Sequence, residues 1–581
     1  MSVDRNDLKS SFGRVVADGI PGILSHQREN GSIIYNEKAP IVYPQQAIMP
    51  LAWCYTGQDP ERRFHRSADV LKAIRKLGDY LVSLTNSAGE VDFDSFGYRV
   101  KSVDQRLVFA WLEALRMLRE HKADVDTSAW EPRIVAACHT LISHRLKKLV
   151  GLRRFLGRVM GTSSNHVALY LSTIHRTGTV LNKPDLVEFV MPIARAFAAS
   201  IHPDGYWDEH SDLERSVGPT PLYNTLSTCA MGLLYEWTGE AVFGEAIAKA
   251  AHFHGRFAYP DASCVELIDE RVRYHNAPKI WGLFAFSHTP EGRGLGAMAL
   301  ENWLQNNPDK NVWSPELMAR HLENSMYWHS GPVHAPLFAS ENHSATLTLP
   351  ALYARRKGWA LAVSAMRASN AEDNAYRDNP FGLDRQRLMS AWHPDTGLLI
   401  SGSHSKKQPH ASTFALLRTP EHQGDFFEDH LPCGGFVDLQ NDTLHADVLY
   451  RSYRGQVTLR PLSEKKLRVD LSVDPSGNRG PFAAAVVLKP QNHVITTGDG
   501  REIKLGEDGM LKTLQELGGS FRIGRVLVKG PPSLKVQWPL LPFNSYAKDN
   551  KADFSTAELR VYDELSIDRT SMTIELEVTP A

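Results

Sequence analysis

The apolar residues of this chain change their period, and no single layer of secondary structure can satisfy both patterns. In "DVLKAIRKLGDYLVSL" Val70, Ile74, Leu77, Leu81 and Leu84 recur every three or four positions, which puts them on one face of a helix. Leu226, Cys229, Leu233 and Trp237 do the same in "TLSTCAMGLLYEWTGE". That segment closes on Thr238-Gly239, and "LAWCYTGQDP" closes on Thr56-Gly57; a glycine there can take the left-handed conformation that ends a helix. Late in the chain the period becomes two. "LRVDLSVD" alternates Leu467, Val469, Leu471 and Val473, and "SMTIELEV" alternates Met572, Ile574, Leu576 and Val578. Turns such as "DPSGNRG", "TGDGRE" and "GEDG" lie between them, the pattern of an antiparallel sheet domain, most simply a stacked sandwich.

The helical part carries a repeat. "ENGSIIYNE", "SAGEVDFDS" and "PDGYWDEHS" are each a glycine turn, an extended apolar–polar stretch and then polar residues. Gly89 follows Gly31 by 58 positions, and Gly205 follows Gly89 by 116, twice that. A period of 58 fits one helical hairpin with its connection, and stacked hairpins bury their faces against their neighbours. Wound round an axis, they make an α/α toroid, an incomplete barrel of helical hairpins whose connecting loops line one mouth. "GRGLGAMALENWLQ" and "PELMARHLENSMYWH" still read as helix, so the period changes between about 330 and 400. The expected organisation is α+β and multidomain: a toroid over 1–380 and an antiparallel β-sandwich over 381–581. A length of 581 residues requires more than one core in any case.

The bulk composition excludes several classes. The net charge is −1, so no global field recruits nucleic acid or anionic lipid, and attraction for an anion must be local. Five scattered cysteines without a C-x-x-C suggest neither a disulfide framework nor a zinc knuckle. "MSVDRNDLKSSFGRVV" has no apolar core of signal-peptide type and no later run is long enough to span a bilayer, so a cytoplasmic, membrane-free protein is expected. There is no Walker loop and no Rossmann glycine pattern.

In "GTSSNHVALYLS", Asn165 and His166 stand side by side where a helix begins. Either Ser163 or Ser164 caps the helix and His166 is a satisfied boundary histidine, or the pair holds a ligand. A second connection, "HPDGYWDEHSDLERSVGPTPLYN" (202–224), is long for a helix–helix loop and carries Tyr206, Trp207, Asp208, Glu209, His210, Arg215 and Tyr223. Aromatic rings among polar groups suit sugars; core packing explains Trp207 equally well. "HRLKKLVGLRRFLGR" (144–158) concentrates Arg145, Lys147, Lys148, Arg153, Arg154 and Arg158, either as a solvated face or as an attractor for a polyanion.

"SSNHVALY" followed by "PLYN", with Tyr223 58 residues after Asn165, resembles the heparinase II/III-type and alginate-lyase-type polysaccharide lyases. Those families join an α/α toroid to a C-terminal β domain. The resemblance implies β-elimination at a uronic acid of an anionic oligo- or polysaccharide, with exo-action a further expectation. Asn165 and His166 would stabilise the carboxylate charge that grows as C5 loses its proton. Tyr223 would serve as acid and base, which asks for nearby positive charge, and Arg215 is the candidate source. A β-domain histidine would complete the catalytic set. His410 in "QPHASTFALLR" fits best, with His343 and Glu341 in "SENHSATL" as substrate-binding rivals and His404 weaker. Tyr206, Trp207, His210 and Arg215 would also bind substrate. Related sequences read His-x-Asp before that strand, and this chain has Ser412 in the third place, so no metal or other cofactor is expected there.

Two other functions compete. A hydrolase on the same ring would need paired carboxylates, for which Asp208, Glu209, Asp212 and Asp94 are available, and unsaturated uronides would be a fitting substrate. A non-catalytic carbohydrate-binding protein would keep the aromatics but has no use for a phenol beside an amide–imidazole pair.

Overall fold

The computed structural model describes the chain apart from residues 1–2, 38, 96–97, 156, 210–215, 270–279, 311–312, 369–383, 404, 407, 418–429, 476–479, 545–546, 548 and 580–581. It divides into two compact units. The helical unit comprises residues 1–216, 221–255 and 277–336; the β unit comprises 217–220, 256–276 and 337–581.

The helical unit is an α/α toroid. Ile48–Tyr55 packs on Gln105–Glu120, which packs on Ser164–Val180, then Pro221–Thr238, Leu283–Phe286 and Pro315–Tyr327, and the last returns to Pro44–Ala47 and Ile48–Tyr55. Each of these inner helices has an outer companion. Ala68–Leu84 lies on Ile48–Tyr55, Trp130–Leu141 on Gln105–Glu120, and Pro184–Ala199 on Ser164–Val180. Ala241–His254 lies on Pro221–Thr238, Pro290–Asn306 on Leu283–Phe286, and the first long helix, Leu8–Ser25, on Pro315–Tyr327. The two rings differ in pattern because they differ in burial. Gln105–Glu120 is buried without interruption from Gln105 to Leu115, whereas Ala68–Leu84 buries a stripe, Val70, Ala73, Ile74, Leu77, Gly78 and Leu81.

The glycine repeat is a structural unit. Gly31, Gly89 and Gly205 have φ of +90°, +72° and +94°, and each backbone N–H closes a turn on the carbonyl three residues earlier: Arg28, Asn86 and His202. Each turn presses on the outer helix that follows it. A Cβ on Gly31 would stand 2.1 Å from the Lys76 carbonyl oxygen, and one on Gly205 2.1 Å from that of Lys249. On Gly89 it would meet Ala137 at 2.6 Å. Only a residue without a side chain fits both the conformation and the space. A fourth copy of the turn spans Tyr259–Ser263, where Ala262 takes the same place with φ +64°. The periodicity of glycines does not reveal it because the glycine is missing.

The β unit is a sandwich of two antiparallel sheets, of nine and ten strands among the described residues. The first runs from Glu502–Lys504 at one edge, through Ser571–Val578 and Lys466–Asp474, to Gly434–Gln440. Leu467 pairs with Leu576, Val469 with Ile574 and Leu471 with Met572, and all six are buried, as the alternation requires. The second runs from Met510–Thr513, through Glu558–Leu565 and Phe482–Leu488, to Ser344–Thr346. Residues of both inner faces share one core, with Leu361, Val363 and Val486 from the second sheet among Val457, Val469 and Ile574 of the first. The stretch 256–269 is tied to the second sheet: Tyr259 donates its hydroxyl hydrogen toward Glu266 at 2.9 Å, Glu266 accepts from Gly402 N at 2.8 Å, and Trp392 Nε1 donates to Asp261 at 3.2 Å.

The boundary therefore falls at 336/337, not at 380/381. Ala351–Arg356 and Trp359–Ser364 are buried on both faces, so "ALYARR" and "WALAVS" show no alternation that would mark them as sheet. No helix among the described residues is long and apolar enough to cross a membrane.

Gly205→Ala forces a Cβ into the Lys249 carbonyl at a positive φ and is expected to lower the unfolding free energy by about 1–3 kcal/mol. Ala262→Gly, at the same turn position, should raise it by up to about 1 kcal/mol. Thermal midpoints of the two variants against the parent check both signs.

Candidate functional site

The helix Ser164–Val180 starts without the serine cap that its sequence suggests. Ser163 occupies the N-cap position but makes no side-chain bond to the helix backbone; its Oγ donates to Asn165 Oδ1 at 2.7 Å. Asn165 is buried, and with its oxygen held in this way Nδ2 is the end that can donate. His166, one residue on, reaches solvent, and its Nδ1 lies 3.0 Å from Thr162 Oγ1. The serine thus orients the amide instead of closing the helix.

Residues 201–209 join this helix start to the next one in the ring. Ser164 N donates to the Glu209 carbonyl at 3.3 Å, and Ser164 Oγ donates to Glu209 Oε2 at 3.2 Å. Two residues earlier, Trp207 N donates to Asn224 Oδ1 at 3.2 Å, and Asn224 Nδ2 donates to the Gly205 carbonyl at 3.1 Å. Asn224 lies in the first turn of Pro221–Thr238, next to half-buried Tyr223. One short loop thereby ties the starts of two adjacent inner helices together, with Asn165 and His166 on one and Tyr223 on the other. The unsatisfied N–H groups and macrodipoles of both helix starts favour negative charge.

Two cations stand just ahead of Asn165. Arg145 Nη1 donates to the Gly161 carbonyl at 3.2 Å, and a Cβ on Gly161 would lie 2.6 Å from Lys148 Nζ. Lys147, Lys148, Arg153 and Arg154 are exposed. Arg145 and Lys148 thus bring two charges of the basic stretch to the turn that leads into the helix.

The aromatic residues expected to stack on sugar do something else. Tyr206 is fully buried, stacked on His202 with ring centroids 4.4 Å apart and packed on Phe253. Trp207 is buried, stacked on Phe197 at 5.5 Å, and its Nε1 donates to the Phe197 carbonyl at 3.0 Å. Both are core residues of the loop. The carboxylates that a hydrolase would use hold the loop too: Asp208 Oδ1 accepts from Ser216 Oγ at 2.6 Å, and Glu209 holds Ser164. Asp94 sits on the strand Val91–Ser95 opposite Arg99. His210, Asp212, Arg215 and His404 lie outside the described residues.

The other named residues belong to the β unit. His410 lies in the short turn Pro409–Ala411 ahead of the strand Phe414–Leu416. Its ring reaches solvent, yet the crowding of neighbouring protein disfavours its charged form, and Arg560 and Arg387 add to that, so it titrates below the usual imidazole range. Glu341 accepts from Arg355 at 3.2 Å and from Gly358 N at 2.9 Å, anchoring a sheet edge. Its side chain is nevertheless exposed. His343 Nε2 lies 3.3 Å from the Arg256 carbonyl.

Sequence reasoning gave no role to Asn224 or His254. Asn224 Nδ2 also lies 3.1 Å from His254 Nε2, which must accept and therefore be neutral. Burial pushes His254 down to about 3. The signal was in the quoted "PLYN", where an amide follows the tyrosine.

No family model matches the chain, and no curated protein is similar to it in sequence. Solved structures are similar in fold. Heparinase III matches with a TM-score of 0.50 and 11% identity, over 96% of this chain and 81% of its own. A mutant of the chondroitin AC lyase of Streptomyces coelicolor A3 matches at 0.47 and 9%, over 100% and 81%. A baculovirus envelope protein described as a chondroitin lyase matches at 0.48 and 9%, over 99% and 84%.

Two predictions follow from this geometry. Trp207→Ala should destabilise the fold by about 3–5 kcal/mol, as for a core aromatic, whereas an unchanged thermal midpoint would return Trp207 to the surface. The unfolded chain protonates its histidines near the ordinary imidazole value of about 6.5, while His254 stays neutral in the native state to about 3. Unfolded protein then binds more protons across that window, so stability falls as pH falls through it. Buried His321, at about 3, and His175, at about 4, act in the same sense. Urea midpoints measured from pH 7 to 4.5 should decline, and His254→Gln should flatten the slope by at most about 1.4 kcal/mol per pH unit.

Proposed function

We propose that the protein is a lyase that cleaves a uronic-acid-containing oligo- or polysaccharide by β-elimination. The observation that carries this reading is the single loop that joins two helix starts, one bearing Asn165 and His166 and the other Tyr223. The fold shared with heparinase III supports it, as do the cations Arg145 and Lys148 at Gly161, four residues ahead of Asn165, for an anionic glycan. The neighbours named for heparin and chondroitin act on anionic glycosaminoglycans.

In the proposed reaction the uronate carboxylate lies before the two helix starts. Tyr223 Oη, as the phenolate, takes the proton from C5. The electron pair of that bond spreads onto the carboxylate, where Asn165 Nδ2 and the His166 imidazole donate to the growing charge. The pair then forms the C4–C5 double bond as the C4–O bond breaks, and the departing oxygen takes the proton back from Tyr223. No water, oxidant or reductant enters, and the products are a new chain end and an unsaturated uronide. Acid and base are one group because proton removal and return occur on one side of the sugar. Tyr223 is a neutral phenol in between and a phenolate again once the leaving oxygen is protonated.

Uronate-containing oligosaccharides should therefore produce a rise in near-ultraviolet absorbance from the new double bond. Tyr223→Phe should reduce kcat/KM by about 100- to 10,000-fold. Asn165→Ala should reduce kcat by about 100- to 1,000-fold with the thermal midpoint little changed. His410→Ala tests whether the β unit contributes. Loss of absorbance from an already unsaturated substrate would replace the lyase by an unsaturated-uronide hydrolase. Full activity in Tyr223→Phe would remove the phenol from the mechanism.

A further inference from the structure

The geometry points to a second site, a transition-metal site built from Glu236, His288 and His329 at the far ends of three inner helices. Glu236 lies in the last turn of Pro221–Thr238, His288 just beyond Leu283–Phe286, and His329 just beyond Pro315–Tyr327. His329 Nε2 lies 2.7 Å and His288 Nε2 3.0 Å from the same carboxylate oxygen, Glu236 Oε1. One donor atom from each residue falls within 4.8 Å of the others. These side chains come from segments 41 and more residues apart in sequence, so only the closing of the ring assembles them.

Hydrogen bonding alone is a poor account of the cluster. The two imidazoles stand with centroids 4.0 Å apart and share one oxygen atom. The buried His288 Nε2, although 3.0 Å from that oxygen, makes no directional hydrogen bond to it. Two nitrogens and an oxygen converge as the donors of one cation would. A tetrahedral ion with ligand bonds of about 2.0–2.1 Å spaces its ligands about 3.3 Å apart. The observed contacts need to open by only a few tenths of an ångström.

The surroundings hold the donors in place. His329 N donates to Ser287 Oγ at 2.9 Å, and that hydroxyl, fully buried, donates to the Phe284 carbonyl at 2.6 Å. The Tyr235 ring meets His288 edge-on at 5.2 Å. Fixed imidazoles of this kind are what metal sites use to set ligand orientation. The side chains are 17%, 25% and 42% exposed for Glu236, His288 and His329, so water can supply the remaining ligands from one side. The C-terminal ends of Pro221–Thr238 and Pro315–Tyr327 also carry the negative pole of the helix macrodipole toward the ion.

The donor set names the class of ion. Two imidazoles and one carboxylate suit a borderline divalent transition ion, Zn²⁺ foremost, and not Ca²⁺ or Mg²⁺, which take oxygen ligands. Its role is structural. Tyr223 and Glu236 are 13 residues apart on one helix, about 20 Å at 1.5 Å per residue, so the ion touches no reacting atom. It clasps the ends of three successive inner helices.

The full chain, stripped with a chelator, provides the test. Zn²⁺ titrated against a chromophoric competitor should show one tight equivalent, and Co²⁺ should give the intense visible absorption of a four- or five-coordinate site. Zn²⁺ at about 100 times its Kd should raise the thermal midpoint by a few degrees. The near-isosteric Glu236→Gln and His329→Asn should each weaken Zn²⁺ at least about 100-fold and remove the Co²⁺ spectrum. Absent binding, or binding unchanged in both variants because an adventitious ion sits elsewhere, overturns the assignment. If His329→Asn does not fold, the Glu236→Gln titration and spectrum decide alone.

Discussion

A ring of helices holds only if its last member packs on its first, and here a buried carboxylate sits at that closure. Glu323, fully buried on Pro315–Tyr327, accepts from Arg320 one turn away and faces Arg106 Nη1 of Gln105–Glu120 at 3.5 Å. Cys229 Sγ of Pro221–Thr238 lies 3.4 Å from it. Arg320 also donates to Gln46 in Pro44–Ala47, the segment that begins the ring. Such a network adds little net stability over an apolar core, because desolvating its charges costs about as much as pairing them returns. Its effect is on geometry. An Arg or Glu left alone at the centre would cost about 3–5 kcal/mol, so arrangements that misalign these helices are strongly disfavoured.

Closure gives each inner helix two distinct ends, and the chemistry differs between them. Pro221–Thr238 carries Tyr223 in its first turn and Glu236 in its last. The first turns of this helix and of Ser164–Val180 offer N–H groups, an amide and an imidazole, a set that suits a carboxylate. At the opposite end, the last turn of Pro221–Thr238 offers a carboxylate, and the residues just beyond Leu283–Phe286 and Pro315–Tyr327 offer two imidazoles, a set that suits a cation. One physical property, the alignment of peptide dipoles, recommends both.

Much of the frame was legible because it rests on local rules. The stripe of Val70, Ile74, Leu77 and Leu81 is a helix face because 3.6 residues make a turn, and all four are buried. Leu467, Val469, Leu471 and Val473 face one core because strand side chains alternate. The glycine turns recur because only glycine fits against the outer helix, and where Ala262 is tolerated the repeat becomes invisible. The strands Ala351–Arg356 and Trp359–Ser364 were missed for the opposite reason: covered on both faces, they have no period to read.

Sequence by itself determined the two architectures, the turn that spaces the hairpins, and the placing of Asn165 and His166 at a helix start, since each follows from spacing along the chain. Tertiary structure alone decided what each side chain faces. Ser163 turned from cap to orienting donor, Tyr206 and Trp207 went into the core, and Asp208, Glu209 and Glu341 became posts that hold loops. It also brought Glu236, His288 and His329 within reach of one ion. The physical reason is the same in each case: burial and partnership depend on neighbours distant in sequence, and a local pattern carries no record of which neighbours ring closure will supply.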